Sequence, residues 1–268
     1  MDVNKFYVTD GEKPLDNLVS DGGFCGIFRT IGIIGDSLAS GEFESMEEGI
    51  RGYHDFYEYS WGKFMERTLG NTVHLFCRGG MTVKEFFDTY GASCGAFGHD
   101  KLCQAYIIAL GVNDTARMEQ LGDIDTALTE RGPDANNPNF LSYYAGIIKR
   151  IKAKQPRAKF FLMTLPTTTY AGYEPELIDK REKWCEAIRR LAEGFSNTYV
   201  LDIRKYGPVY DQKFHDTFFL GHMRATGYLL TAKMVMSYID YIIRKNPDDF
   251  SQVGFIGTPY SYEQRGVV

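Results

Sequence analysis

The chain has 268 residues, of which 44% are hydrophobic and 24% are charged, and these proportions are ordinary for a globular protein with a full core. Its formal net charge of -5, without any block of Lys and Arg, argues against a nucleic-acid partner. No apolar run approaches the length of a membrane-spanning helix, so we expect no membrane partner either.

Strand patterns and helix patterns alternate along the chain, which is typical of a parallel sheet covered by helices on both faces. Apolar runs predict five strands, at residues 29–35, 73–77, 104–110, 159–165 and 199–203. Apolar residues at helical spacing predict helices across residues 141–151, 177–195 and 228–242. Residues 112–138 show neither pattern clearly, which predicts a functional loop such as a lid, or a stretch that hides a short helix.

The sequence contains no feature that would divide it into separate domains. No repeat, low-complexity run or linker divides it, so we expect one domain over residues 1–268. Residues 1–28 and 246–268 are expected to be peripheral extensions of that domain. The residues after Met1 form no signal-peptide pattern, and the sequence as given therefore predicts a cytoplasmic protein.

The first predicted strand ends in Gly35-Asp36-Ser37-Leu38. A buried strand that ends this way delivers Ser37 to the carboxyl edge of the sheet, where open α/β sheets bind ligands. Ser37 is then either a nucleophile at the mouth of a cleft or the N-cap of the following helix. The tetrapeptide alone does not distinguish these two interpretations.

Three other residues are expected at the same edge of the sheet, because parallel strands share one carboxyl edge. Gly80 follows the second strand, and a glycine lets a backbone N–H approach a reacting oxygen closely. Asn113 follows the third strand, and its amide can donate to a developing oxyanion. His222 precedes the last long helix. The alternatives are a plain turn at Gly80, a turn-forming Asn113 and a helix-capping His222.

Taken in order, these four motifs resemble the SGNH hydrolases, also called the GDSL esterase/lipase family, over about residues 31–228. The resemblance implies an α/β protein with a three-layer α/β/α, flavodoxin-like fold and a five-stranded parallel sheet in the order 2-1-3-4-5. It also implies that Ser37 is the nucleophile and His222 the base. The oxyanion hole would consist of the Ser37 and Gly80 N–H groups and the Asn113 side chain.

The chain departs from the family at one position. The family usually has an Asp three residues before the histidine, and here that residue is Phe219. A phenylalanine cannot accept the Nδ1–H bond that holds an imidazole in the useful tautomer. Asp216 is the tentative third member of the triad, and Asp211 or a backbone carbonyl, which would leave a Ser-His dyad, are the alternatives.

The sequence therefore predicts a serine esterase that forms an acyl-enzyme on Ser37. The resemblance favours a short-acyl ester, most of all an acetyl ester, of a carbohydrate or another small molecule, and the aromatic content of 15% would supply rings for a sugar site. A lipase, a thioesterase or a non-catalytic module that binds a glycan or small ligand are the alternatives. Nothing in the sequence indicates the oligomeric state.

We expect no cofactor and no metal site. The five cysteines form no Cys-x-x-Cys pair, and the five histidines show no His-Glu-x-x-His spacing. The odd number and irregular spacing of the cysteines indicate reduced thiols that serve mainly in packing.

Overall fold

A five-stranded parallel sheet forms the centre of the molecule, as seen in a computed structural model that describes residues 3–170 and 175–251. The strands are β1 (Thr30–Gly35), β2 (Glu42–Glu47), β3 (Ile50–Asp55), β4 (Thr72–Cys77), β5 (Ala105–Ala109), β6 (Lys159–Met163), β7 (Thr198–Leu201), β8 (Phe219–Leu220) and β9 (His222–Met223). The sheet order is β4-β1-β5-β6-β7. Counted along the chain within this sheet, the order is 2-1-3-4-5, and the predicted fold class is confirmed.

Helices cover both faces of the sheet. They are α1 (Ser37–Ser40), α2 (Trp61–Leu69), α3 (Val83–Glu85), α4 (Gly91–Ser93), α5 (Val112–Arg117), α6 (Ile124–Thr129), α7 (Phe140–Lys152), α8 (Pro175–Gly194), α9 (Ile203–Tyr206), α10 (Gln212–Phe218) and α11 (Ala225–Lys245). Helices α2 and α11 pack on one face, and α3, α7 and α8 pack on the other.

The sheet is buried on both sides, and this explains why its strands are continuous apolar runs. Ile31 and Ile33 of β1 point toward α2 and α11, whereas Ile34 points toward the opposite layer. Side chains alternate between the two layers in this way because successive residues of a strand face opposite sides.

Two regions differ from the expected pattern. The stretch 112–138 contains the short helices α5 and α6, so the alternative of a hidden helix is the correct one there. Strands β2 and β3 form an antiparallel hairpin that sequence reasoning did not predict. Its turn has positive φ at Glu48 (50°) and Gly49 (82°), the mirror-image turn whose twist matches that of the strands it joins.

The N-terminal segment packs against α11. Glu12 forms a largely buried ion pair with Arg244 (2.6 Å), and the Val19 N–H donates to Ser237 Oγ (2.9 Å). Residues 252–268 of the expected C-terminal extension lie outside the described residues. The single-domain extent of 1–268 and the two extensions therefore stay predictions.

The fully buried Asp114 of α5 anchors the segment after β4. Its Oδ1 accepts the Val83 N–H (3.0 Å), and its Oδ2 has no partner among the described residues. Burial raises the pKa of Asp114 to about 7, and the nearby Asp36 carboxyl adds to the increase. An unfolded Asp has a pKa of about 3.9, so the folded state binds this proton more tightly. Its contribution to stability is therefore present in full below about pH 4 and is lost as the pH rises through about 7.

Asp114→Asn is expected to flatten this dependence, because an asparagine Oδ1 still accepts the Val83 N–H but does not titrate. Between about pH 5 and pH 8 the wild type should lose on the order of 2–3 kcal/mol more unfolding free energy than the variant. Urea denaturation at the two pH values measures the difference. Equal losses in both proteins would show that Asp114 does not titrate in this range.

Candidate active site

Ser37 occupies the first turn of the short helix that follows β1. The N-cap of this helix is Asp36, whose side chain accepts the Leu38 N–H (3.0 Å), so Ser37 itself is not the cap. Tyr228 Oη donates to the carbonyl oxygens of Ser37 (3.4 Å) and Glu42 (2.6 Å), which holds the turn in place. The hydroxyl of the half-buried Ser37 makes no hydrogen bond to any described residue, and it is therefore available for a substrate.

The glycine loop after β4 is tied to this helix through Asp55. The Gly79 N–H donates to both Asp55 carboxylate oxygens (3.0 and 3.2 Å), and Ser40 Oγ donates to the same carboxylate. Gly80 adopts a φ of 72°, which favours glycine. The backbone N–H groups of Ser37 and Gly80 have no partner within residues 3–170 and 175–251, so both can still donate.

Helix α5 holds the other side of the glycine loop. Asn113 Nδ2 donates to the Met81 carbonyl (3.1 Å), and Arg117 Nη1 donates to the Gly80 carbonyl (2.7 Å). One amide hydrogen of Asn113 remains for another acceptor. These contacts bring the Ser37 helix, the Gly80 loop and Asn113 together at the carboxyl edge of the sheet.

His222 is held by two glutamates of the β2–β3 hairpin. Its Nε2 lies 2.9 Å from Glu42 Oε1, and its Nδ1 lies 3.1 Å from Glu44 Oε1. The ring also meets Tyr53 edge-on, with the ring centroids 5.9 Å apart. No hydrogen bond joins His222 to Ser37 in the described part of the chain. Nε2, the nitrogen that is expected to receive the serine proton, is occupied by Glu42.

Two glycines make room for these carboxylates. A Cβ on Gly221, whose φ is 71°, would overlap the Glu44 carboxylate, and a Cβ on Gly79 would overlap Glu42 Oε2. The Glu42 carboxyl group thus lies between His222 and the glycine loop.

Charge balance around His222 allows two protonation states. Two carboxylates are satisfied by an imidazolium with two N–H groups, whereas a neutral imidazole requires one glutamate to donate a proton. Burial raises the pKa of Glu42, and the neighbouring Asp55 and Glu44 carboxyls raise it further, while the His222 charge opposes the shift. The surroundings of Glu42 therefore favour its protonated form over its charged form.

Asp216, the residue predicted as the third member of the triad, lies away from His222. It accepts from Gln212 Nε2 (2.8 Å) on the exposed side of α10 and lies 3.7 Å from His215. Asp211 caps the same helix by accepting the Phe214 N–H (2.8 Å). The position beside Nδ1 belongs to Glu44, which sequence reasoning missed together with Glu42. The available signal was the strand alternation of Glu42, Glu44 and Met46 ahead of Glu48-Gly49.

An apolar cavity of about 50 Å³ lies beside the site. Its lining includes Leu38, Val112 and Met223, which are the sequence neighbours of Ser37, Asn113 and His222. Asp36 also lines it, and burial raises the pKa of that carboxyl to about 6. Because a water molecule needs about 10–15 Å³ of such space, the cavity has room for a group of a few heavy atoms.

Metal-ligand clusters and membrane-spanning helices were sought in the described ranges, 3–170 and 175–251. No group of three or more His, Cys, Asp or Glu side chains there is arranged to hold a metal ion. No helix in these ranges has the length and apolar character needed to cross a membrane.

Comparison with known families gives one match that covers most of the chain. The family model for GDSL-like lipases and acylhydrolases matches residues 33–230, a range that contains Ser37, Gly80, Asn113 and His222. No curated protein sequence matches the chain.

Solved structures share the fold at low sequence identity. The acetyl xylan esterase AlAXEase is 17% identical with a TM-score of 0.52, and the match covers 78% of this chain and 99% of that one. A protein assigned to the G-D-S-L lipolytic family from Desulfitobacterium hafniense gives the same values. A family two carbohydrate esterase from Clostridium thermocellum, in complex with cellohexaose, is 14% identical with a TM-score of 0.53, over 80% of this chain and 64% of that one. These similarities establish the fold.

Proposed function

The chain belongs to the GDSL-like lipase/acylhydrolase family, and on that premise we propose that it is a serine esterase that forms an acyl-enzyme on Ser37. The observation that supports this most is the set of hydrogen bonds through Asp55 and Asn113, which joins the Ser37 helix to the Gly80 loop. Acyl transfer requires a nucleophilic hydroxyl, here that of Ser37, and hydrogen-bond donors for the oxyanion, here the Ser37 and Gly80 N–H groups and the Asn113 amide.

In the proposed reaction, His222 Nε2 takes the proton of Ser37 Oγ as the oxygen attacks the ester carbonyl carbon. The carbonyl oxygen becomes an oxyanion that accepts from the Ser37 and Gly80 N–H groups and from Asn113 Nδ2. The C–O bond to the alcohol then breaks, and the alcohol leaves with the proton from His222. Water repeats the attack on the acyl-enzyme, which releases the acid and returns the proton to Ser37.

This reaction requires Glu42 to release Nε2, because the contact of 2.9 Å occupies the nitrogen that must face Ser37. The conformation described here is then a resting state. An entering ester displaces the Glu42 carboxyl group from the region between His222 and Gly79, and the imidazole turns to the serine.

The substrate we propose is a short-acyl ester, above all an acetyl ester, of a carbohydrate or another small molecule. The cavity of about 50 Å³, lined by Asp36 and Leu38 on either side of Ser37 in the sequence, has room for an acyl group of two or three carbons. Tyr53 contacts the base and is 56% exposed, so it offers a ring face to a sugar. Carbohydrate esterases among the structures of the same fold agree with this choice.

A panel of nitrophenyl esters of increasing chain length, together with acetylated sugars, tests the proposal. Acetyl esters should be turned over fastest, and Ser37→Ala should turn over none of them. A preference for long acyl chains would favour the lipase alternative, and thioesters preferred over oxygen esters would favour a thioesterase.

A second candidate function is a non-catalytic module that binds a glycan or small ligand. The observation that favours it is that both nitrogens of His222 are held by glutamates while Ser37 has no hydrogen bond to a base. Such a module would bind acetylated sugars without hydrolysing them.

Asn113→Ala should lower kcat by about 10²–10³-fold with little change in KM, because the amide donates to an oxyanion that exists only after attack. Steady-state kinetics with nitrophenyl acetate measures both constants. Arg117→Ala is the matched control, since Arg117 holds the same loop through the Gly80 carbonyl but donates nothing to the oxyanion. If the two variants lost the same amount of kcat, Asn113 would be a loop anchor and not an oxyanion donor.

A further inference from the structure

His222 needs an acceptor at Nδ1 if it is to serve as a base, and the residue at the usual position cannot supply one. Phe219 turns toward α10, where its ring stacks on His215 with the centroids 5.4 Å apart. We propose that Glu44, carried by the β2–β3 hairpin, is the positioning residue of His222 and replaces the missing acid. This inference rests on the proposed function, since a base needs orientation only if it takes a proton.

The hairpin geometry fixes where the glutamate points. Residues two apart in a strand share a face, so Glu42 and Glu44 both project toward His222, while Phe43 projects to the other side and stacks on His54. Glu44 Oε1 lies 3.1 Å from Nδ1, and its Oε2 lies 3.3 Å from Arg51 Nε. The side chain is only 14% exposed. A largely buried carboxylate with both oxygens engaged is held in a defined orientation.

The two glutamates are not equivalent, because they meet opposite nitrogens of the ring. The Glu42 carboxyl group lies between Nε2 and the Gly79 backbone, so Nε2 faces the glycine loop. Glu44 meets Nδ1 on the side of Gly221, away from that loop. A serine hydrolase needs its acceptor at the nitrogen that points away from the serine, and here that acceptor is Glu44.

Several charged groups lie close to His222 and will affect how the activity depends on pH. Glu42 and Glu44 contact it from β2, and Asp36 ahead of α1 is close enough for the His222 charge to act on its carboxyl. Behind them, Arg51 pairs with Glu44, and the Asp55 carboxyl acts on Glu42. Glu44→Gln removes one negative charge from this set and changes the shape of the side chain very little.

The kinetic test compares Glu44→Gln with the wild type on nitrophenyl acetate. We expect kcat to fall by about 10²–10⁴-fold with KM nearly unchanged, as when the acid of a triad is replaced by its amide. The acid limb of the kcat/KM profile should move to lower pH, because removing a negative charge next to the proposed base disfavours its charged form. A structural defect alone would not move that limb.

Two matched variants sharpen the comparison. Glu47→Gln changes a glutamate of the same strand that makes no contact with His222, and its kcat should equal that of the wild type. Glu42→Ala removes the carboxyl group that occupies Nε2, and its kcat should rise above the wild-type value. A loss in Glu42→Ala as large as that in Glu44→Gln would overturn the assignment, because the two glutamates would then be equivalent.

A spectroscopic readout separates this inference from the proposed function. In ¹⁵N-labelled protein, the His222 Nδ1–H signal should be present in the wild type and lost or shifted in Glu44→Gln. If the wild type hydrolysed esters, yet Glu44→Gln kept the wild-type kcat, pH profile and imidazole signal, Glu44 would not position His222 while the esterase proposal stood. If no ester were hydrolysed and Ser37 were inert, the proposed function would fail, and the imidazole signal would still decide whether Glu44 holds Nδ1.

Discussion

Ser37→Ala is expected to abolish ester hydrolysis, with kcat/KM falling by at least about 10³-fold, because the substitution removes the hydroxyl that forms the acyl-enzyme in the proposed reaction. The substitution removes a hydroxyl that makes no hydrogen bond to any described residue, while the Tyr228 bond to the Ser37 carbonyl remains. The unfolding free energy should therefore change by no more than about 0.5 kcal/mol. Nitrophenyl acetate kinetics and urea denaturation measure the two effects.

Ser45→Ala serves as the control for this experiment. Ser45 lies on the opposite face of the hairpin from Glu42 and Glu44, and its hydroxyl meets His54 Nε2 (2.8 Å). Its kcat/KM should match that of the wild type. An active Ser37→Ala protein would mean that the hydrolysis uses another nucleophile, or a contaminating enzyme, and the assignment of Ser37 would be wrong.

His222→Ala should cost a similar factor, about 10³-fold or more in kcat, because the serine hydroxyl then has no group to receive its proton. The substitution also leaves Glu42 and Glu44 facing each other across the space of the lost ring. Added imidazole should bind there and restore part of the activity. The measurement is kcat against imidazole concentration at a fixed pH.

His54→Ala is the matched histidine control. His54 stacks on Phe43, with the ring centroids 5.1 Å apart, on the face of the hairpin that points away from Glu42 and Glu44. Its removal should leave kcat unchanged, with no response to imidazole. Should His54→Ala lose activity and His222→Ala retain it, the base would have to be reassigned.

The positions of Ser37, Gly80 and Asn113 were predictable because each follows a strand closely. Alternating strand and helix patterns predict parallel strands, and the carboxyl ends of parallel strands share one edge of the sheet. The strand order itself was implied by the resemblance to the SGNH hydrolases. The fold class and the three loop positions therefore depend on local patterns, which a single sequence contains. The roles of the three residues in catalysis stay predictions.

The environment of His222 was not predictable in the same way. Its contact with Glu44 joins residues that are 178 positions apart in the sequence. The hairpin that carries Glu44 is rich in charged residues, and such a sequence resembles that of a solvated loop. Asp216 was the nearest acid before His222 in the sequence, but the turn of α10 directs it to Gln212 and solvent. Spacing along the chain identifies a partner only when both residues lie on one regular element.

The loss of the acid at position 219 has a structural explanation in the same region. Phe219 packs against Tyr210, with the ring centroids 5.7 Å apart, as well as on His215. An aspartate there would lie half-buried against an aromatic cluster, where a carboxylate without a partner is costly. The hairpin supplies carboxylates from the opposite side of His222, so the residue at 219 can serve in packing.

The most direct measurement is the reaction of the wild-type protein with a fluorophosphonate probe, followed by peptide mass spectrometry. The probe phosphonylates only a serine activated by a base and an oxyanion hole. We expect a single adduct on the peptide that contains Ser37, with no adduct in His222→Ala. Folded wild-type protein that takes up no probe, or takes it up at a different residue, would contradict the assignment of Ser37 as the nucleophile of an esterase.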